Sequence, residues 1–244
     1  MYIKLSKGEC ISVFIASAVL RIRGRARYNL ARSFYSLRVG GFIDGSETLI
    51  DVGAHVGLFA RSYQACFPSA YMILVEPVER FRNQISGNLR KLGAFEILPF
   101  AAGSCESVEK INVSKLPAAT SLLKISEKHE KLWPGSSSTV EEVIIVKKLD
   151  DLIDLSRGLS YFLKIDVQGF EAEALRGASS IIRQVKVCQI EVNFELLFVG
   201  EASLAEVIGI MTNYGFRLIS VFDPIYGLRT RVPASVDLIF IKQR

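Results

Sequence analysis

From residue 48 onward, the chain alternates short apolar segments with stretches that have helical periodicity. Apolar segments at 48–52, 71–75 and 95–100 are separated by predicted helices at about 58–67 and 78–92. This alternation is typical of a doubly wound sheet of parallel strands with helices on both faces. Central strands of such a sheet are buried on both sides, which accounts for their nearly continuous apolar sequences. We therefore predict an α/β fold.

The same alternation resumes near the middle of the chain. The predicted elements are strands at 161–166 and 186–192, and helices at 170–184 and 203–215. The chain closes with two apolar segments, 216–222 and 236–242, whose connection is too short for a crossover helix. We therefore expect these last two strands to be antiparallel.

A long polar segment separates two further predicted strands, at 108–114 and 140–148. This segment, at about 115–139, is rich in Ser, Pro, Gly and Lys and contains the only tryptophan, Trp133, and one of the two histidines, His129. Loops of this length are usually functional or disordered. The alternatives are a surface loop with a packed tryptophan and a lid-like insertion over a binding site.

Residues 1–40 form a basic extension that precedes a main domain at 41–244. The extension has eight basic residues and one acidic residue, so it accounts for the net charge of +5 of the whole chain. Its apolar run at 10–20 is too short to span a bilayer, which takes about 20 residues. We expect a helix that packs on the main domain or on a partner, with an interfacial membrane helix as the alternative. A nucleic-acid-binding enzyme more often carries basic residues beside its site, so we expect no nucleic-acid partner.

The cysteines indicate the compartment. Cys10, Cys66, Cys105 and Cys188 show no C-x-x-C spacing and no paired histidines. This pattern favours reduced thiols over a zinc site or a disulfide framework. We therefore expect a cytoplasmic protein, with any membrane contact being peripheral.

The sequence TLIDVGAHVGLFA contains the strongest local signal for a ligand site. A strand ends near Asp51, and Gly53 and Gly57 then allow a tight turn before a helix. The free N–H groups of that helix terminus favour a polar ligand. Dinucleotide-binding sheets prefer G-x-G-x-x-G. The spacing here, D-x-G-x-x-x-G, instead resembles the first motif of class I S-adenosyl-L-methionine (S-adenosylmethionine) methyltransferases, in which the acid and the loop hold the amino-acid portion and the ribose.

An acidic residue ends the next predicted strand. Glu76 follows Asp51 by 25 positions and precedes Pro77 and a predicted helix. At such a strand end a carboxylate can accept hydrogen bonds from both ribose hydroxyls of a nucleoside. The alternative is a solvated acid at the end of a strand; we favour the ligand role.

The segment YFLKIDVQGFEAEAL places two charges in an apolar strand. Residues two apart in a strand share a face, so Lys164 and Asp166 lie on one side. Asp166 is at the carboxyl end of the strand, where open α/β sheets bind ligands, and we expect it in the site, either orienting the acceptor or contacting the cofactor. Lys164 either tunes the charge of Asp166 or forms a structural ion pair with Asp51, Asp166 or Glu191.

Together these segments resemble the FkbM-type methyltransferases over roughly residues 46 to 242. The matching stretches are LIDVGAHVGLF, VEPVERFRNQISGNLRKLG, TSLL, VKKLDDL, LKIDVQGFEAEALRGA and QIEVNFELL. His55 stands where such loops often have asparagine. The resemblance implies a class I Rossmann-like sheet of seven strands with the last antiparallel, S-adenosylmethionine as cofactor, and O-methylation of a hydroxyl on a sugar or other metabolite.

Such a transfer benefits from a base near the acceptor hydroxyl. Asp166, Glu191, Glu195 and His129 are the candidates, and we place Asp166 at the centre with Lys164 and Glu191 beside it. For Glu191, pairing with Lys164 is an equal alternative. Oxygen ligands at this position would suit Mg²⁺, but nothing in the spacing requires a metal and we predict none.

Two other functions fit the same elements. An NAD(P)-dependent oxidoreductase can use a similar sheet, although G-x-G-x-x-G is missing. A non-catalytic binding or assembly module can keep the fold, since fold alone does not determine function. For the methyltransferase, the expected partner is a small-molecule or glycan acceptor.

Overall fold

The computed structural model describes residues 33–89, 94–154, 159–228, 230 and 232–243. Most of the predicted extension 1–40, with its apolar run 10–20, lies outside the described residues. Residues 33–39 are helical, and the ring of Phe34 lies edge-on to that of Phe59 at 5.2 Å between centroids. None of the helices in the described ranges combines the length and the apolar character that crossing a bilayer requires.

The described strands and helices follow the predicted order. The strands are β1 (Thr48–Val52), β2 (Met72–Val75), β3 (Phe95–Leu98), β4 (Ala101–Ala102), β5 (Ser107–Ser114), β6 (Thr139–Lys147), β7 (Tyr161–Ile165), β8 (Val185–Asn193), β9 (Phe216–Tyr226) and β10 (Pro233–Lys242). The helices after residue 40 are α1 (Leu58–Cys66), α2 (Glu79–Leu89), α3 (Glu127–Leu132), α4 (Leu149–Leu152), α5 (Glu171–Arg176) and α6 (Leu204–Asn213).

Seven of these strands form the main sheet, in the order β3-β2-β1-β7-β8-β10-β9. Neighbours from β3 to β8 are parallel, whereas β10 is antiparallel to both β8 and β9. The predicted class I sheet, with seven strands and the last antiparallel, is therefore confirmed. The chain leaves β1 toward β2 on one side and later returns to β7 on the other, so the strand order reverses between β1 and β7. Ligands bind at such a point in open α/β sheets.

Alternate residues of each central strand enter different cores. Leu49 of β1 packs with Phe162 of β7 in one apolar cluster, while Ile50 packs with Leu163 and Ile165 in a cluster on the other face. All five of these side chains are fully buried. Burial on both faces explains why these strands are apolar at nearly every position.

The predicted helix at 170–184 is wrong in extent. Helix α5 ends at Arg176, and a separate 3₁₀ turn covers Ile181–Gln184. The Asp150 carboxylate accepts the backbone N–H groups of Ser180 and Ile181 at 2.9–3.0 Å, so these donors do not continue the helix.

A second, three-stranded sheet of order β4-β6-β5 lies beside the main one. Strands β5 and β6 were predicted individually, but their pairing into a separate sheet was not. Its inner side chains Ile111, Val113, Ile144 and Val146 pack against Phe81 of α2. The sheet therefore covers the carboxyl end of β2 and supports the segment between β5 and β6.

The segment between β5 and β6 is ordered around short helical elements. It contains a 3₁₀ turn at Pro117–Ala119 and helix α3, whose N-cap Ser126 accepts the backbone N–H of His129. A side-chain cap of this kind stabilises the start of a short helix. The ring of His129 contacts that of Trp133 at 4.8 Å between centroids.

We predict that Gly177→Ala destabilises the protein. A methyl group there would lie 2.0 Å from the Gly103 carbonyl oxygen, so the main chain has to move. Overpacking of this kind costs about 1–3 kcal/mol. Gly209→Ala, at an exposed position of α6, is the matched control. Nothing lies within 4 Å of the added methyl group, so the change should stabilise the helix by up to about 1 kcal/mol. Urea unfolding measures the free energy of unfolding of both variants. An unchanged value for Gly177→Ala would contradict the close approach of Gly177 to the Gly103 carbonyl oxygen.

Candidate active site

A buried lysine joins the carboxyl ends of β1 and β7. The Lys164 ammonium lies 3.1 Å from Asp51 Oδ1 and 3.5 Å from Asp166 Oδ2, and it donates to the Gly53 carbonyl oxygen at 3.0 Å. Lys164 and Asp51 are directly opposite in the β1–β7 register, and both are buried. Burial alone would lower the pKa of Lys164, but the two carboxylates raise it above its ordinary value. The lysine is therefore charged, and the ion pair expected for it is present.

The glycine loop fits closely against the turn after β7, which begins with Asp166. Gly53 has a φ of +74°, and a Cβ there would lie 1.9 Å from the Asp166 carbonyl oxygen. Only glycine allows this approach. Gly57 caps α1 with a φ of +78°, but a Cβ there would make only ordinary contacts. Gly53 is thus required because there is no space for a side chain. Gly57 is required because other residues rarely adopt its backbone conformation.

Glu76 connects the end of β2 to the glycine loop. Its Oε2 accepts the backbone N–H of His55 at 2.8 Å, and its Oε1 accepts that of Val78 at 2.9 Å. Burial raises the pKa of Glu76 to about 7. The His55 ring lies edge-on to Phe81 at 4.3 Å between centroids, and its φ of +51° is uncommon outside glycine. The carboxylate therefore has a fixed position, and each oxygen keeps a lone pair for another donor.

The sheet-edge cleft opens at the ends of β1, β2 and β7. Its lining includes Gly53, His55, Glu76, Phe81, Phe100 and Asp166. Four of the six predicted cofactor-binding residues are therefore brought together here. Asp51 and Gly57 do not line the cleft; Asp51 lies beneath it, bonded to Lys164, and Gly57 starts the helix behind the loop.

Gln168 is the residue that sequence reasoning missed. Its side-chain amide donates to Asp166 Oδ1 at 2.8 Å and to Glu191 Oε2 at 2.7 Å, which brings the two predicted catalytic carboxyls together. Its φ is +54°, and its carbonyl oxygen accepts the Ser121 hydroxyl at 2.6 Å. The available signal was the position of Gln168 in a turn, between Asp166 and Gly169.

The two carboxyls that Gln168 joins differ in protonation. Burial, and then the charge of Asp166, raises the pKa of Glu191 well above its ordinary value. Burial would also raise the pKa of Asp166, but Lys164 and Gln168 hold it below its ordinary value. Asp166 is therefore the stronger acid of the two, and Glu191 holds its proton more tightly. The alternative in which Glu191 pairs with Lys164 is not observed. Glu191 instead accepts from Gln168, and Lys164 pairs with Asp51 and Asp166.

The turn after β7 is held by another buried acid. Glu171 Oε1 accepts the backbone N–H groups of Val167 and Gly169 at 3.0 and 3.1 Å. Burial raises the pKa of Glu171 to about 7. These bonds position Asp166 and Gln168 at the edge of the sheet.

The loop pocket lies next to the sheet-edge cleft and has a volume of about 430 Å³. Its lining includes Leu116, His129, Trp133, Glu191, Leu197 and Ile225. The two cavities share Pro117, Ala118, Asp166 and Gln168. Asp166 therefore stands where a ligand in one cavity would meet a ligand in the other.

Two further base candidates have other contacts. His129 is buried, its Nδ1 lies 2.9 Å from the Ser136 hydroxyl, and burial lowers its pKa. Glu195 is exposed, pairs with Lys128 at 2.7 Å and lines neither cavity. Asp166 is the acid that the fold brings to the shared wall, and Glu191 lies beside it in the loop pocket, bonded to Gln168.

Comparison with known families supplies the decisive observation. Residues 51–218 match the family described as the methyltransferase FkbM domain. The chain belongs to the FkbM methyltransferase family. FkbM methyltransferases depend on S-adenosylmethionine, so the cofactor expected from the sequence is confirmed for the family. The oxidoreductase alternative has no support from this match.

Solved structures similar to this FkbM methyltransferase are remote in sequence. Magnesium protoporphyrin IX methyltransferase from Synechocystis PCC 6803, with bound S-adenosylmethionine, is 11% identical with a TM-score of 0.49, and 100% of each chain is covered. An S-adenosylmethionine-dependent methyltransferase from Clostridium acetobutylicum is 6% identical with a TM-score of 0.49 over 95% of this chain and 97% of that chain. A third, from Aquifex aeolicus, is 15% identical with a TM-score of 0.46 over 93% of this chain and 98% of that chain. No curated protein sequence matches the chain.

The described residues also include three cysteines and the acids of the site, which bear on thiols and metal binding. Within the described ranges, no three His, Cys, Asp or Glu side chains are grouped so as to hold a metal ion. Cys66, Cys105 and Cys188 are free thiols, and Cys10 lies outside the described residues.

We predict that Lys164→Met alone lowers the free energy of unfolding by about 3–5 kcal/mol, because Asp51 is left as a buried and unpaired charge. The double variant Asp51→Asn/Lys164→Met removes both charges and should recover a large part of this loss. Chemical denaturation of the two variants and the parent protein measures the difference. A double variant no more stable than Lys164→Met would show that the pair does not hold β1 to β7.

Proposed function

We propose that this FkbM methyltransferase transfers a methyl group from S-adenosylmethionine to a hydroxyl of a small-molecule or glycan acceptor, such as a sugar or another metabolite. The supporting observation is the pair of cavities that meet at Asp166. The sheet-edge cleft has the features of a nucleoside site, and the loop pocket has room for an acceptor. We further propose a cytoplasmic location, with any membrane contact made through residues 1–40.

The sheet-edge cleft would hold the cofactor through residues from three strand ends. Glu76 would accept the ribose hydroxyls, since it lines the cleft and each of its oxygens keeps a lone pair. Phe81 and Phe100 offer apolar surface for the base, and the backbone at Gly53 and His55 approaches the amino-acid portion. Asp51 would act indirectly, by holding Lys164 and through it Gly53 and Asp166.

The acceptor hydroxyl would be oriented by Asp166. When bound, S-adenosylmethionine supplies a methyl carbon for in-line displacement, in which a carbon–oxygen bond forms as the carbon–sulfur bond breaks. Positioning the hydroxyl in line accounts for much of the rate, about 7–11 kcal/mol in favourable cases. Asp166 is the charged carboxylate at the shared wall and would accept the hydroxyl proton. Lys164 favours the ionised form of Asp166, while Gln168, which also donates to Glu191, fixes its orientation.

Cofactor affinity should depend on Glu76 and on pH. We predict that Glu76→Gln weakens S-adenosylhomocysteine binding by about 10- to 100-fold, because a charged acceptor of hydroxyl donors is lost. The pKa of Glu76 is about 7 and the charged form binds ribose, so the affinity of the parent protein should fall as the pH drops through 7. This pH dependence should disappear in Glu76→Gln.

Isothermal titration calorimetry at several pH values measures these affinities. Glu79→Gln is the matched control, since Glu79 lies on the exposed first turn of α2. Unchanged affinity and pH dependence in Glu76→Gln would place the nucleoside elsewhere.

Asp166, at the wall shared by the two cavities, should affect the rate of methyl transfer rather than the affinity for the cofactor. We predict that Asp166→Asn lowers the rate of transfer of a tritiated methyl group by about 10²- to 10⁴-fold, the usual contribution of a positioned base. Glu191→Gln imitates the protonated form of Glu191 and should lose less than about tenfold if Asp166 alone takes the proton. S-adenosylhomocysteine affinity should stay within a few-fold in both. Full transfer activity in Asp166→Asn would refute the role of Asp166.

A further inference from the structure

The lining of the loop pocket combines polar and apolar side chains. Asp166, at the wall shared with the sheet-edge cleft, and Glu191 and Asn193 contribute polar groups. Trp133 and Leu197 also line the pocket and belong to a separate apolar cluster. A ligand seated here would therefore have one polar end and one apolar end.

Large exposed apolar side chains line this pocket or lie on the segments next to its lining. We call this surface the apolar rim; it consists of Leu116, Leu196, Ile225, Tyr226 and Leu228. All five are large side chains that are 40% or more exposed, and Leu228 is 73% exposed. Contiguous exposed apolar surface of this kind marks an interaction site more often than scattered single residues do.

Hydrogen bonds join the segments that carry the apolar rim to the segment that contains α3. The backbone N–H of Leu228 donates to the carbonyl oxygen of Leu132, next to Trp133, at 3.1 Å. The Ser126 hydroxyl donates to the Leu196 carbonyl oxygen at 3.3 Å. The β9–β10 connection and the loop after β8 are thus both bonded to the segment that contains α3.

The charges restrict the polar end of the ligand. The described residues that line the loop pocket include two carboxyls and neither lysine nor arginine. Lys164, just behind the wall, is already engaged by Asp51 and Asp166. A phosphate or carboxylate placed near Asp166 would meet like charge without a compensating cation, so a neutral hydroxyl group fits the wall better.

Taking the proposed methyl transfer as given, we propose that the acceptor is an amphiphile. Its uncharged, hydroxyl-bearing head occupies the loop pocket against Asp166, and its hydrocarbon portion lies across the apolar rim. Two rim residues, Leu116 and Ile225, line this pocket and are 40% and 45% exposed. Another exposed set, Val108, Val143 and Ile145, lies on β5 and β6 and lines neither cavity.

Alkyl glucosides test this proposal, because their head is neutral and their chain length can be varied. Glucose and its hexyl, heptyl and octyl β-glucosides, all below their micelle-forming concentrations, are titrated into the full chain. Trp133 is the only tryptophan and lines the pocket, so its fluorescence reports binding. We expect affinity to rise with each methylene, by up to about fourfold when the methylene leaves water completely. Equal affinities for glucose and octyl glucoside would overturn the proposal.

Rim variants locate the hydrocarbon chain. Ile225→Ser and Leu228→Ser should reduce the gain in affinity per methylene, whereas Val143→Ser, on the exposed face of the small sheet, should leave it unchanged. A gain that survives in both rim variants, or that is lost in Val143→Ser, would contradict the assignment. Calorimetry with S-adenosylhomocysteine on the same preparations reports on the methyltransferase proposal alone. Failure of cofactor binding and failure of chain-length dependence are therefore distinguishable.

Discussion

The contact on which the site depends is the Lys164 ammonium between two carboxylates. A charge in the interior is costly unless it is paired and hydrogen-bonded, and Lys164 has Asp51, Asp166 and the Gly53 carbonyl oxygen around it. These partners lie on β1, in the turn after β7 and in the glycine loop. One buried cation therefore fixes the end of β1 and the glycine loop that follows it against the turn after β7, which is distant in sequence. Removing only one of the charges would leave the others without compensation.

The position of this cluster explains why two cavities meet there. The strand order reverses between β1 and β7, so the chain leaves these two strands toward opposite sides of the sheet. The loop after β1 forms the wall of the sheet-edge cleft, while the turn after β7 contributes to both cavities through Asp166 and Gln168. Residues of the small sheet and of the 3₁₀ turn at Pro117–Ala119 also line the cleft. Methyl transfer between two ligands requires that their binding sites adjoin in this way.

Periodicity predicted most of the fold because the central strands are buried on both faces. It also predicted that Lys164 and Asp166 share a side, since that depends only on the alternation within one strand. The partner of Lys164 could not be chosen from sequence, because the β1–β7 register that sets Asp51 opposite it is a property of the folded sheet. Gln168 was missed because its function depends on a left-handed backbone conformation that only the fold shows. The helix at 170–184 was overextended because the Asp150 carboxylate takes backbone donors from a distant part of the chain.

The proposed mechanism depends on a nucleoside binding where β1, β2 and β7 end. A crystal structure of the protein grown with S-adenosylhomocysteine tests it most directly. The account predicts that both ribose hydroxyls lie within hydrogen-bonding distance of the Glu76 carboxylate, with the sulfur facing Asp166 and the opening to the loop pocket. Density for the ligand at another surface, or a sheet-edge cleft left empty at saturating ligand, would contradict it.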